Sequence, residues 1–216
     1  DGGSCVLMSH LGRPNGVEEK FSLKNIASKV TEIIGVQVQF SEHCIGEKAE
    51  KAAAELENGE ILLLENLRFH KEEKAGDDKF ALELSKLGDI YINDAFGSAH
   101  RAHASTSVIA NYFSENKCFG KLLASEIENI EKVLTHSEKP VTAIIGGAKV
   151  SSKITIIESI LDKIDHLIIG GGMAFTFVKA QGGKVGSSLV EDDKQELALS
   201  ILKLAEEKNV QIHLPV

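Results

Sequence analysis

The chain holds 216 residues, 43% hydrophobic and 26% charged, with only 3 prolines, a balance that excludes disordered and collagen-like chains. Lys and Arg number 24 against 32 Asp and Glu, a net charge of −8; a general nucleic-acid binder needs a basic footprint, so no nucleic-acid partner is expected. The longest apolar runs, such as Ile61 to Leu64 and Leu167 to Ile169, are far too short to cross a bilayer, and no membrane role is expected. The opening Asp1-Gly2-Gly3-Ser4-Cys5 has no basic leader followed by an apolar block. Three cysteines, at 5, 44 and 118, form no CxxC pair, so a reducing, cytoplasmic setting is expected.

In chain order, apolar runs bounded by turn residues predict seven strands: Ser4 to Ser9, Val36 to Phe40, Ile61 to Glu65, Ile90 to Asn93, Val141 to Ile145, His166 to Ile169 and Val210 to Leu214. Between them, apolar residues fall three and four apart, as in Leu23, Ile26, Ala27, Val30, Ile33 and Ile34, or Ile154, Ile157, Ile160, Leu161 and Ile164. That spacing is helical. Alternating strands and helices predict an α/β fold with a mostly parallel sheet covered on both faces and ligands at the carboxyl ends of the strands. The alternation pauses at Lys121 to His136, where Leu122, Leu123, Ile127, Ile130, Val133 and Leu134 predict a long amphipathic helix. The expected organisation is therefore two Rossmann-like, three-layer α/β/α domains, 1–120 and 138–216, joined by an interdomain helix over 121–137. The second has few strands and no helix after the last, which would leave a sheet edge or face uncovered, and in the first a strand begins almost at residue 1, so both domains are expected to be cut short.

The predicted strand ends carry the chemistry. His10 and Arg13 follow the first strand, Arg68 the third, and Arg101, between His100 and His103, the fourth. Loops at one end of a parallel sheet converge, so three guanidinium forks can meet there and grip a small, highly anionic ligand. Singly, each arginine could equally serve a surface ion pair. In the second part, Gly146-Gly147-Ala148-Lys149 with Lys153, and Gly170-Gly171-Gly172, read as glycine turns that open helices, where backbone amides and lysine charge suit a polyphosphate nucleotide. Neither fits the spacing of a P-loop or a GxGxxG fingerprint, and each alone could be a plain tight connection.

Taken together and in order, the segments SHLGRP (9–14), ENLRFH (65–70), NDAFGSAHRAHAS (93–105), GGAKVSSKI (146–154) and GGGMAFTF (170–177) closely resemble the phosphoglycerate kinases. The resemblance covers essentially the whole chain. It implies a monomeric, cytoplasmic two-domain kinase that moves a phosphoryl group between 1,3-bisphosphoglycerate and ADP, giving 3-phosphoglycerate and ATP, with Mg²⁺. Carried over, it makes His10, Arg13, Arg68 and Arg101 the substrate-binding patch. Gly147, Ala148, Lys149, Lys153, Gly170, Gly171 and Gly172 become part of the nucleotide site. Lys149 and Arg101 become the catalytic cations, with Lys149 nearest the transferred group. A loose transition state asks for fixed cations in a site closed to water, so the domains are expected to close around it by bending near residues 118 to 138.

The family pattern also has an earlier segment with an Asp, an Asn and an Arg, and a later GGGDT-type loop with the magnesium-associated Asp; this chain resembles roughly the middle half and is expected not to turn over alone. At Thr106-Ser107-Val108 it departs from the family's usual Val-Gly pair at 107 and 108. A non-catalytic binding module is the alternative reading. His100 and His103, with Asp94 near, have a conceivable metal spacing but lack a third well-placed ligand; His103 is expected to be structural. Cys44 and Cys118 are expected to be buried packing. Glu191-Asp192-Asp193 predicts a helix N-terminal turn.

Overall fold

A computed structural model describes residues 2–135 and 138–215. The chain divides into two compact units, 1–127 and 128–216. The boundary falls inside the helix that the sequence assigned to a separate linker; His136 and Ser137, at the end of that segment, lie outside the described residues.

In the first unit, β1 (Cys5–Leu7), β2 (Val38–Ser41) and β3 (Ile61–Leu64) form a parallel sheet in the order β1-β3-β2. The path from β1 to β2 steps over β3 and the path back to β3 reverses, so right-handed crossovers place the two connecting helices on opposite faces. α1 (Lys24–Ile34) accordingly covers Leu7, Val38 and Leu63, while α2 (Glu47–Ala54) lies with Val6, Leu62 and Leu64. α1 starts where the Leu23 amide donates to Glu65 Oε1 and the Lys24 amide to Ser22 Oγ, and it ends at left-handed Gly35. Only Leu23, Ala27 and Val30 of its predicted stripe join the core; Ile33 is 74% exposed.

The short α3 (Lys71–Ala75) leads to α4 (Asp78–Ser85), which Asp77 caps by accepting from the Phe80 amide. Phe80 and Leu84 then join Leu62, Leu64, Leu67 and Tyr91 in the larger core. β4 (Tyr91–Asn93) pairs in parallel with β5 (Lys117–Phe119) as a second sheet. Two ladders thus replace the single sheet expected for this unit. β5 is absent from the sequence reading because all three of its residues are exposed and leave no apolar run. Cys118 lies on it, so its expected burial is wrong; Cys44 is buried, its Sγ donating to the Glu65 carbonyl.

α5 (Lys121–Thr135) begins where Asp94 Oδ1 accepts from the Leu123 amide. In the second unit, β6 (Thr142–Gly146), β7 (His166–Gly170) and β8 (Gln211–His213) are parallel and in sequential order. Sequential order with right-handed crossovers puts every connecting helix on one face. α6 (Ile154–Ile160), α7 (Gly172–Ala180) and α8 (Gln195–Glu207) share that face, where Ile157, Leu167, Ile169, Phe177 and Ile201 pack together. The other face is open among the described residues, with Ile144 75% exposed. An uncovered sheet edge or face is what the few strands of this part led the sequence reading to expect. Glu191 precedes a 3-10 turn, Asp192–Lys194, that leads into α8.

Candidate functional site

Ladder pairing between β1 and β3 continues past the strands into the loops that carry His10 and Arg68. The Leu67 amide donates to the Ser9 carbonyl, and Arg68 Nη1 donates to the Gly12 carbonyl at 2.6 Å. Asn66, fully buried, binds both loops. Its Oδ1 accepts from the Leu11 amide at 3.3 Å and the Arg68 amide at 3.0 Å, and its Nδ2 donates to the carbonyls of Leu11 and Phe21 at 2.9 and 2.8 Å. Gly12 has φ +65, and a Cβ there would stand 2.4 Å from the Phe21 ring. Only glycine fits that turn without a shift.

Arg101 arrives from the loop after β4. The structure brings it to the others even though β4 belongs to a different ladder. Burial, then the charges of Arg101 and Arg13, lowers the Arg68 pKa. Burial, then the charges of Arg68, His103 and Arg101, holds His10 below the usual histidine value. Arg13 and Arg101 are therefore near enough for their charges to act on Arg68, and Arg68 and Arg101 near enough to act on His10. Arg68 Nε is buried without a hydrogen-bond partner, an arrangement that costs free energy unless an acceptor arrives.

Behind this patch lies Glu73, 2% exposed. Its carboxylate accepts from the Ser105 amide at 3.0 Å and the Ser105 hydroxyl at 2.6 Å, while its carbonyl accepts from the Ala104 amide. Tyr91 OH donates to the Ser105 carbonyl. These bonds fasten the segment that follows Arg101. His103 is buried against them, its Nδ1 3.8 Å from Glu73, and burial lowers its pKa against the opposing charge of Glu73. Its burial is compatible with the structural role expected of it. Asp94 is occupied with α5 and His100 Nε2 accepts from Arg101 Nε; the described residues hold no group of three His, Cys, Asp or Glu side chains suited to a metal. Sequence reasoning passed over Asn66 and Glu73 as functional, although a polar pair, Glu65-Asn66, directly after an apolar strand was a signal for the first.

In the second unit the two glycine segments lie against each other. The Met173 amide donates to the Gly147 carbonyl at 2.9 Å, and a Cβ on Gly171, φ +69, would stand 2.9 Å from that same oxygen. Gly171 caps α7 directly. Gly146-Gly147, by contrast, does not open α6, which starts only at Ile154. The residues between form a turn because Val150 is fully buried and Ser151 is bonded through amide and hydroxyl to Glu191 at 3.1 and 2.6 Å. This turn holds Lys149, exposed, and Lys153, half-buried beside Gly147. With Met173 N taken, fewer free amides face a ligand at α7 than expected. Beyond the carboxyl ends of β7 and β8 a cleft of about 700 Å³ is lined by Gly170, Gly171, Gly172, Phe175, His213 and Leu214, among others.

The family model for phosphoglycerate kinase matches residues 1–216. The chain belongs to the phosphoglycerate kinase family. A phosphoglycerate kinase of Porphyromonas gingivalis is 48% identical over 240 residues, covering 100% of this chain and 57% of that protein. A cytosolic phosphoglycerate kinase of Triticum aestivum is 50% identical, covering 99% of this chain and 53% of that protein. The solved phosphoglycerate kinase of Coxiella burnetii superposes with a TM-score of 0.82 at 39% identity, over 98% of this chain and 53% of that one. The chain thus spans about half the length of the relatives it matches.

Proposed function

We propose that this chain carries part of both substrate sites of a phosphoglycerate kinase, the first unit contributing to the grip on 3-phosphoglycerate or 1,3-bisphosphoglycerate and the second to that on ATP or ADP. The observation that carries the reading is the closeness of Arg13 and Arg101 to Arg68, and of Arg68 and Arg101 to His10, with a buried Arg68 Nε lacking an acceptor. A ligand with a carboxylate or acyl phosphate at one end and a phosphate at the other supplies acceptors to several guanidinium forks at once. In the transfer, a β-phosphate oxygen of ADP attacks the acyl phosphate, the bond from phosphorus to the carboxyl oxygen breaks, and the carboxylate leaves with its electron pair. The reaction needs no protein nucleophile, only cations placed where charge accumulates. Lys149 and Arg101 take that role in this reading. Gly147, Ala148, Lys153 and the Gly170-Gly171-Gly172 turn line the nucleotide's approach. Magnesium would neutralise nucleotide phosphates, but the described residues offer it no carboxylate cluster, so no step is assigned to it.

The same reading makes the protein a monomer, and a cytosolic one in line with the word cytosolic in the name of the wheat relative; among the described residues no helix is long and apolar enough to cross a membrane. Calorimetric titration of the 216-residue chain tests it. 3-Phosphoglycerate should bind more tightly than inorganic phosphate, and Arg68→Ala should weaken it by about 10- to 100-fold, the worth of a charge-assisted contact, leaving ADP binding unchanged. A loss of ADP affinity instead would reverse the assignment of the two units. Purified residues 1–216 should give no ATP in a coupled assay, and robust turnover would refute that expectation.

A further inference from the structure

The geometry points to Asn66 as the positioning residue that sets the spacing between the His10–Arg13 loop and Arg68, and through it the fit of a ligand with two anionic ends. This rests on the substrate reading above. A primary carboxamide has two donor hydrogens and two acceptor lone pairs. All four are engaged inside the protein: Leu11 N and Arg68 N on Oδ1, Leu11 O and Phe21 O on Nδ2. The side chain is 0% exposed, so nothing is left over for a ligand and Asn66 acts only through the loops it joins. Its two bonds to Leu11 imitate a rung of sheet pairing just beyond the end of β1. Its bond to Arg68 N starts the 3-10 turn Leu67–Phe69 that aims the Arg68 side chain. The Arg68 guanidinium then donates back to Gly12 O, closing a ring between the loops.

Other side chains cannot replace it. Aspartate lacks the two donors, leucine lacks all four groups, and glutamine is one methylene too long for a fully buried slot. Serine is the informative substitute: its hydroxyl can still accept from the amide two residues on, keeping the turn at Arg68, but it is too short to reach Leu11 and Phe21. Asn66→Ser therefore removes the side-chain bonds to Leu11 and Phe21, leaves the Leu67–Ser9 and Arg68–Gly12 bonds in place, and spares the local cap.

The test titrates 3-phosphoglycerate and inorganic phosphate separately into the 216-residue chain and into Asn66→Ser, with circular dichroism to check folding. We expect 3-phosphoglycerate affinity to fall by about 10- to 100-fold and phosphate affinity to change by less than about threefold, since a single anion does not sense the spacing. A folded variant that keeps the full preference for 3-phosphoglycerate, or loses both affinities in parallel, overturns the proposal. If the unsubstituted chain itself shows no preference, the substrate reading fails. In that case, or if the variant does not fold, amide hydrogen exchange in the unsubstituted chain decides. Leu11 and Arg68 amides share one acceptor atom and should open together, with protection within about tenfold of each other; widely different protection refutes the link.

Discussion

Gly12 shows how tightly one backbone position is held at the anion patch. Its φ of +65 is costly for any residue with a Cβ, and the Phe21 ring occupies the space a Cβ would need. Gly12→Ala should destabilise the first unit by about 1–3 kcal/mol, read as a lowered denaturant midpoint. It should also weaken 3-phosphoglycerate binding, because Gly12 O is the acceptor for Arg68. The cysteines make a second residue-scale contrast. Burial first, then the charges of Glu65 and Glu73, pushes the Cys44 thiol up to about 12, whereas Cys118 is exposed on β5. A thiol reagent at neutral pH should label Cys118 and leave Cys44 unmodified until the chain unfolds, since only an accessible thiolate reacts. The arginines were legible in the sequence because charge at a strand end stands out. Asn66 and Glu73 were not, since a buried polar group acquires its role only from partners up to 55 residues away.

Among the elements, the turn before α6 depends on a contact with a residue far along the chain. Ser151 is held through its amide and its hydroxyl by Glu191; against the opposing effect of burial, those bonds first and the charge of Lys149 last keep the Glu191 carboxyl below its ordinary value. Glu191→Ala should free this turn, seen as faster hydrogen exchange at the Ser151 amide and weaker ADP binding. α6 itself is anchored by Ile157, fully buried in the core of the second unit. Ile157→Ala should cost about 2–5 kcal/mol of stability, the range for truncating a large aliphatic core side chain, measured by denaturant unfolding. Strand positions were readable from apolar runs to within a residue or two, because burial in a parallel sheet demands them. β5 was not readable: its residues are exposed, and it exists because its backbone completes a ladder with β4.

At the scale of the whole molecule, three histidines of the first unit link folding to pH. His10, His70 and His103 all have pKa values lowered from 6.5, with burial the leading cause in each. The unfolded chain therefore binds more protons than the folded one on the acidic side, and stability falls as pH drops through that value. Melting temperatures of the first unit's transition should decline from about pH 7 to about pH 5, and His103→Phe, which removes one buried titrating ring, should flatten the decline. An unchanged slope in that variant would mean that the other histidines carry the effect. Composition, apolar periodicity and five motifs by themselves determined the α/β class, the family and the residues of the cationic patch, since each leaves its mark within a short stretch of chain. Tertiary structure alone decided the split of the first unit into two ladders and the bonds from Asn66, Glu73 and Glu191 that hold the loops. Those depend on which distant backbone groups need partners once water is excluded, a condition that arises only when the chain has folded.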